Sequence, residues 1–461
     1  MRISVIGCGY LGAVHAAVMA RLGHQVVGVD VNPERVEVLA SGHAPFYEPG
    51  LAPLLADGTR TGSLRFTTDS AAARGSTIHF LCVGTPQVAA GDQADLSALD
   101  ASVLSLLPHL GAEDLVVGKS TVPVGTARSL ASWLGEGEER GRLAWNPEFL
   151  REGHAVEDTL HPDRLVYGVE RGPLGELDTA LLDEVYDRLL REGVPRIVTD
   201  YATAELAKVA ANSFLATKIS FVNAMAEVCE ASGGDAAALA RTLASDSRIG
   251  ADYLGVGLGF GGGCLPKDIR AFAARAEELG AGPAVAFLHE IDQINDRCLD
   301  RAVELVRRAA GTGGLDGVRV SVLGAAFKPE SDDVRSSPSL GLARRLASRG
   351  AQVVVTDPQA VPLAQLAAPE LRYAVDLAEA VTGADVVVLA TEWDEYRRLE
   401  PERLKALVRR PCVVDTRGAW DLPGWQRAGF TALALGRPGE GSWEPDPAPR
   451  PPSRSSASGN A

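Results

Sequence analysis

Apolar runs of four to seven residues alternate with amphipathic stretches along most of the chain, the pattern of strands alternating with helices. "RISVIG" is a strand pattern that runs straight into Gly7-x-Gly9-x-x-Gly12 and an alanine-rich helical stretch reaching Leu22. "HQVVGVD" is a second strand, ending at Asp30. "STIHFLCVG", "DLVVGKST" and "RLVYGV" predict further strands and carry an α/β sheet to about residue 198. The texture then changes. "YATAELAKVAANSFLATKISFVNAMAEVCEASGG" is one long helical pattern stopped by Gly233-Gly234, and more helices run to about Ala310. After the linker "GTGGLDG", the runs "VRVSVLG", "AQVVVTD", "ADVVVLAT" and "CVVDTRG" restore the strand–helix rhythm as far as Gly436. The fold class predicted is α/β: two Rossmann-like domains (1–199 and 317–436) joined by an all-helical central domain (200–310) that reads as a connecting or dimerising element. Residues 437–461, rich in proline and serine, predict a disordered tail.

Composition narrows the functional classes. A chain of 461 residues is too long for one compact core. A net charge of -15 argues against a general nucleic-acid binder, which needs a basic face. No apolar run approaches the roughly 18 residues that span a bilayer, and the opening strand leaves no room for a secretory leader. Six cysteines lie far apart without a CxxC pair, and eight histidines are dispersed. That spacing suits neither a disulfide framework nor a metal site, so no metal is expected and a reducing cytoplasm is the expected setting.

Three stretches carry chemistry. The glycine turn sits between strand and helix, with Asp30 closing the second strand 18 residues beyond Gly12. This is the context of a dinucleotide site. The glycines allow close approach of a pyrophosphate, and Asp30 can accept bonds from ribose hydroxyls while repelling a 2′-phosphate, which favours NAD. In "GFGGGCLPKD", Cys264 stands just before the helical pattern "PKDIRAFAARAEELG". A helix N-terminus and the neighbouring Lys267 lower a thiol's pKa, so Cys264 is the candidate nucleophile. The other five cysteines read as small buried hydrophobes. Lys208 and Asn212 lie four residues apart on one face of the long helix. Alone they read as a solvated stripe; flanked by alanine, valine and phenylalanine they can polarise a substrate oxygen. Glu148 and Glu152 flank Arg151 at helical spacing in "NPEFLREG", where a first-turn acid with a surface ion pair is the ordinary reading. "KSTVPVG" brings hydroxyls to a strand end, and Lys328 and Arg335 flank acids in "GAAFKPESDDVRSSPSL".

Taken together, "GCGYLG", "FYEPGL", "CVGTP", "KSTVPVG", "NPEFLREG", "HPDRLVYG", "ELAKVAANSFLATKISFVN", "GFGGGCLPKD" and "FKPESDDVRSSP", in that order from residue 1 to about 436, closely resemble the UDP-glucose/GDP-mannose dehydrogenase family. The resemblance implies a four-electron oxidation: a nucleotide sugar's primary alcohol becomes an acid while two NAD are reduced. It favours UDP-glucose going to UDP-glucuronate, with GDP-mannose as the alternative. By that resemblance Cys264 attacks the aldehyde, Lys208 and Asn212 steady the oxyanion, and Asp268, Glu152 and Thr121 handle protons or position water. It implies a nucleotide-sugar site formed by Glu148, Phe149, Leu150, Arg151, Glu152, Lys208, Asn212, Tyr253, Leu254, Gly255, Val256, Gly257, Gly261 and Lys328. NAD would be touched by Gly7, Gly9, Tyr10, Leu11, Gly12, Asp30, Arg35, Thr85, Thr121, Glu152, Lys267 and Arg335. A homodimer through the central helix is implied, with no nucleic-acid or membrane partner. The chain departs from the family at Gly263, where serine is usual, and at Leu265, which is commoner in the GDP-mannose branch. Arg35 replaces a lysine and keeps its charge; His15 also departs.

A charge clash between Asp30 and a 2′-phosphate is worth about 2 kcal/mol at a partly buried site. Steady-state kcat/KM should therefore be at least tenfold higher with NAD than with NADP. Equal efficiency with the two cofactors would remove Asp30 from the ribose site.

Overall fold

The computed structural model describes residues 1–135, 141–311 and 313–437. The tail expected at 437–461 lies outside the described residues from 438 onward. Fourteen strands form two sheets. The first contains β1 (Arg2–Ile6), β2 (Gln25–Val29), β3 (Leu64–Thr67), β4 (Ile78–Leu81), β5 (Leu115–Gly118), β6 (Arg142–Trp145), β7 (Leu165–Gly168) and β8 (Arg196–Thr199). Their spatial order is β3-β2-β1-β4-β5-β6-β7-β8. All neighbours are parallel except β6 and β7, which meet antiparallel at Trp145 and Gly168. The second sheet contains β9 (Arg319–Leu323), β10 (Gln352–Thr356), β11 (Arg372–Tyr373), β12 (Val386–Leu389), β13 (Cys412–Asp415) and β14 (Thr431–Ala434), in the order β11-β10-β9-β12-β13-β14. Both sheets thus follow the doubly wound order 3-2-1-4-5-6, which opens a crevice at the carboxyl ends of the first and fourth strands.

The central strands are buried and mostly apolar because helices cover both faces, with Ser4, His79 and Ser321 the buried polar exceptions. Five strands were not foreseen: β3 ("LRFT"), β6 ("RLAW"), β8 ("RIVT"), β11 ("RY") and β14 ("TALA"). Each has four residues or fewer and four of the five carry an arginine, so neither alternation nor a long apolar run marks them. Their pairing with a neighbouring strand, not their own pattern, makes them strands.

Between the sheets lies a helix of 32 residues, Tyr201–Ser232. Asp200 caps it by accepting from the Thr203 amide, and Gly233 ends it with φ 80°. A second helix, Leu265–Glu278, packs on it, and a third, Phe287–Ala310, runs on toward the C-terminal sheet. Ala302, Val303, Leu305, Val306, Ala309 and Ala310 of the third helix belong to the core of the C-terminal domain. Central and C-terminal parts are therefore joined by a continuous apolar surface, not only by a linker. Among the described residues no helix is long and apolar enough to cross a membrane.

The two sheets treat the acid at the end of their second strand differently. Asp357, just after β10, is buried and accepts from the Ala325, Ala326, Gln359 and Ala360 amides and from the Trp393 indole. With its oxygens taken by five protein donors, it is a strut for the loop after β9. Alanine there would strand buried donors, each worth roughly 1 to 3 kcal/mol. Asp357→Ala should lower the unfolding free energy by at least about 3 kcal/mol in urea titration and leave NAD affinity unchanged. A loss below about 1 kcal/mol would show that those donors find other partners.

Candidate active site

The turn between β1 and the first helix, Tyr10–Arg21, forms a cradle. The Gly7 amide donates to the Val29 carbonyl at 2.8 Å. A Cβ on Gly12 would collide with the Gly7 carbonyl, so the helix can approach the strand only through glycine. Nothing lies within 4 Å of a Cβ built on Gly9, so the amides of the helix N-terminus face open space of the kind a pyrophosphate fills. Asp30 accepts from the Cys8 amide at 2.7 Å and the Asn32 amide at 2.9 Å, and its two oxygens meet Arg35 Nη1 at 3.1 and 3.0 Å. Arg35 therefore balances the carboxylate at the cradle's rim. Further along, the Thr85 hydroxyl donates to the Thr121 carbonyl at 2.6 Å. Both residues line a cleft of roughly 410 Å³ with Lys267 and Asp268. These residues fit a dinucleotide. Tyr10 and Leu11 bring packing instead of open side-chain contacts: the Tyr10 hydroxyl donates to Glu48 and accepts from the Gly153 amide, while Leu11 packs on the N-terminal core.

Cys264 caps the helix Leu265–Glu278, and its carbonyl accepts from the Asp268 amide at 3.0 Å. Lys208 and Asn212 are buried, so the solvated-stripe reading of them fails. Lys208 Nζ pairs with Glu148 at 2.8 Å; Asn212 Nδ2 donates to Asp268 Oδ2 at 2.7 Å, and Lys267 Nζ to Oδ1 at 2.6 Å. Burial works to lower the Lys208 pKa, but Glu148, Cys264 and Asp268 together outweigh it and hold the ammonium charged above its ordinary range. Cys264 is exposed at the surface of the cleft yet closely surrounded by protein. Desolvation pushes its thiol up to about 12, with Lys208 pulling down and Asp268, Glu148 and Glu152 pushing up. The expectation of a thiol acidified by its helix terminus is thus corrected: the carboxylates and the low polarity of the site outweigh a dipole whose reach is one turn. At neutral pH this environment favours the protonated thiol.

The segment 147–153 is irregular backbone, not the helix its spacing suggested. Arg151 pairs with Asp158 at 2.7 Å and not with either flanking glutamate. Glu148 folds back to accept from the Leu150 amide, and Phe149 receives the Arg164 guanidinium over its ring at 3.9 Å. Glu152 is buried, meets Arg335 at 3.0 Å and leaves one carboxyl oxygen without a protein partner. Burial, with Asp333 beside it, raises the Glu152 pKa, Arg335 opposing; this carboxyl carries a proton more readily than a free one. Lys328 stands near Glu152, Arg151 and Glu48, its pKa lowered by burial. Tyr253 has φ 65°, a left-handed conformation unusual for a bulky residue and typical of strained functional segments. Leu254 is buried, Val256 packs against the C-terminal core, and the Gly257 amide donates to Asn223 Oδ1 at 2.9 Å. Gly255 stands in open space.

The glycines before Cys264 are explained by what lies against them. A Cβ on Gly261 would strike the Ser336 carbonyl; one on Gly263 would strike the Arg335 guanidinium. Gly262, at φ 83°, donates its amide to the Arg335 carbonyl at 3.0 Å. A serine at 263 would push Arg335 aside, so this chain's glycine is what allows the guanidinium to lie beside the thiol.

Several residues that shape the site were not foreseen. Glu48, inside "FYEPGL", accepts from the Gly153, Ala155 and Val156 amides and so holds the end of the 147–153 segment. Glu205, one turn before Lys208, accepts from the Gly125 and Ala127 amides and ties the long helix to the "TVPVG" turn. Asp333 holds Arg335 through both its oxygens. An acid within a motif was the only signal available; which amides it meets is a matter of tertiary structure.

Three domain families match the chain, each part of one UDP-glucose/GDP-mannose dehydrogenase family: the NAD binding domain over residues 1–190, the central domain over 202–297 and the UDP binding domain over 321–422. A UDP-glucose 6-dehydrogenase of Rhizobium meliloti is 37% identical over 95% of this chain and 100% of its own length. A second, from Bacillus subtilis, is 36% identical over 96% of this chain and 95% of its own. Among solved structures, a UDP-glucose dehydrogenase from Pyrobaculum islandicum superposes with a TM-score of 0.84 at 37% identity, covering 95% of this chain and 98% of that one.

The contact of Gly261 with backbone offers a direct check of the domain junction. Gly261→Ala has to separate Ser336 from the glycine loop and should cost about 2 kcal/mol in unfolding free energy. Gly255→Ala, in open space, should be near neutral. Equal stability of the two variants would mean that the junction opens without strain.

Proposed function

The chain belongs to the UDP-glucose/GDP-mannose dehydrogenase family, and from that premise we propose that it oxidises UDP-glucose to UDP-glucuronate through a covalent intermediate on Cys264. It is an NAD-dependent oxidoreductase, and a nucleotide sugar is its substrate. The observation that carries the cysteine reading is the gathering of Lys208, Asp268, Glu148, Glu152 and Arg335 around one thiol at a helix terminus.

NAD, held at Gly7, Gly9, Gly12, Asp30, Arg35, Thr85 and Thr121, supplies the hydride acceptor for each of two oxidations. The protein's own part is proton handling and charge. Oxidation of the primary alcohol releases a proton for which Asp268, fixed by Asn212 and Lys267, is the nearby acceptor. Cys264 Sγ then adds to the aldehyde carbon: the C–S bond forms, and the thiol proton goes to the oxygen that becomes the hydroxyl. Lys208, charged and aimed by Glu148, stabilises negative charge building on that oxygen, with Asn212 beside it. The second oxidation leaves a thioester on Cys264. Water, positioned by Glu152 and Thr121, attacks the acyl carbon; the C–S bond breaks and the thiol regains its proton. Because a thiol near 12 is almost wholly protonated at pH 7, coupling its proton loss to carbon–sulfur bond formation is a requirement of this reading. Glu148, Phe149, Leu150, Arg151, Tyr253, Leu254, Gly255, Val256, Gly257, Gly261 and Lys328 are proposed to line the sugar-nucleotide side.

A homodimer through the long helix belongs to the same proposal. Phe214, Phe221 and Val228 recur at seven-residue intervals and are 65%, 47% and 56% exposed, an apolar stripe suited to a second copy. A cytoplasmic setting is proposed from six unpaired cysteines.

Purified protein with UDP-glucose should form two NADH per sugar consumed, read at 340 nm alongside product mass. Cys264→Ala should form no uronic acid while binding both ligands nearly as well as the natural chain. Cys264→Ser should turn over very slowly and hold a sugar adduct visible by intact mass, since an ester hydrolyses more slowly than a thioester. Acid release by the alanine variant near the natural rate would refute the covalent reading. A stoichiometry of one would indicate an ordinary two-electron dehydrogenase.

A further inference from the structure

Lys119 follows β5, and its buried side chain is not among the residues assigned above to either ligand. It is buried, and its Nζ donates to the Asn146 carbonyl at 3.2 Å and to Asn146 Oδ1 at 3.0 Å. The Phe80 ring lies 5.8 Å from the ammonium. Among the described residues no carboxylate pairs with it directly. A buried ammonium without a bonded counter-ion is costly, and a neutral amide could make the same two hydrogen bonds. The charge therefore asks for an electrostatic reason.

Asn146 is the point where that charge meets the site. Its amide donates to the Gly118 carbonyl at 2.8 Å, its Nδ2 to the Val166 carbonyl at 2.9 Å, and its Oδ1 also accepts from the Tyr186 hydroxyl at 2.7 Å. Two residues later comes Glu148, whose carboxylate pairs with Lys208. The titratable groups facing Lys119 are Cys82 after β4, Glu148 in the loop after β6, Lys208 on the long helix, His15 on the first helix and Tyr186 after the helix Pro173–Val185. One carboxylate, Glu148, thus serves two buried lysines.

We propose that Lys119 is a positioning residue for the oxidation described above: its ammonium clamps Asn146, fixes the start of the 146–153 segment so that Glu148 meets Lys208, and adds a second positive charge behind the reacting oxygen. The proposal rests on that functional reading for its kinetic consequences and on geometry alone for the clamp. Burial lowers the Lys119 pKa to about 8, with Lys208 adding to the effect and Cys82 and Glu148 opposing it. Below pH 8 the ammonium is charged and grips Asn146 through charge-assisted hydrogen bonds; as pH rises through 8 the charge is lost and the neutral amine holds Asn146 more weakly.

The kinetic test compares Lys119→Arg, which stays charged throughout, with the natural chain, pH by pH, so that ionisations common to both cancel. The ratio of kcat values, variant over natural, should rise about thirtyfold between pH 7 and pH 9.5, with the ratio of KM values for NAD flat. A flat kcat ratio would overturn the charge role, because a merely structural lysine moves kcat by one factor at every pH. The second test needs no substrate. In the natural chain, amide hydrogen exchange at 148–153 should accelerate beyond the intrinsic tenfold per pH unit as pH passes 8, while β1 amides follow the intrinsic slope. In Lys119→Met that excess should be present already at pH 7. Exchange at 148–153 that tracks β1 at every pH would overturn the clamp. If the natural chain makes no NADH from UDP-glucose, the functional reading fails, and the exchange measurement still decides the clamp.

Discussion

The surroundings of Cys264 depend on one close approach: the backbone of 335–336 against the glycine loop before it. The Ser336 carbonyl occupies the place where Gly261 lacks a side chain, and the Gly262 amide bonds the Arg335 carbonyl. Through that contact the C-terminal domain reaches a thiol carried by the central domain. Arg335 continues to Glu152 of the N-terminal domain, and Tyr47 of that domain donates its amide to Asp332. Three domains meet within one loop's width, which is why the residues around the thiol come from so many parts of the chain.

The charges at this junction are ordered by partners rather than by exposure. Lys208 stays charged in a buried position because Glu148 faces it, whereas Lys119, with hydrogen bonds only to Asn146, is lowered. Glu152 rises while Asp333, bound by the Arg335 guanidinium, is lowered. Two carboxyls against one guanidinium hold a proton more readily than isolated acids do, and the two are shifted in opposite directions. The thiol's high pKa follows first from its burial, with the same crowding of carboxylates adding to it.

Buried acids elsewhere act as fasteners. Glu48, Glu205 and Asp357 each accept two or more main-chain amides, closing the 147–153 segment, the turn after β5 and the loop after β9. Asp30 differs from Asp357 at the matching strand end. Asp357 is closed over by Trp393, whereas Asp30 shares its oxygens with the half-open Arg35 at a rim that a ribose can reach. At the matching strand ends, one topology used twice leaves one acid at an open rim and closes the other over with protein.

The sequence by itself determined the two doubly wound sheets, the long helix between them, the glycine cradle with Asp30 and the singular position of Cys264. These are local matters: strand periodicity, the collision that forbids a side chain at Gly12, and the N-cap position of a helix. Family resemblance added roles for Lys208, Asn212 and Asp268, and burial then explained why a lysine and an amide sit on a helix face that pattern alone assigned to solvent. Tertiary structure decided the rest. Short strands such as "RY" and "TALA" exist only because a neighbour pairs with them. The irregular course of 147–153 follows from amides captured by Glu48, a hundred residues earlier. The direction of the Cys264 pKa was beyond any local reading, because a helix terminus acts over one turn while the burial that opposes it, with Glu148 and Glu152 beside Asp268, is built by segments distant in sequence.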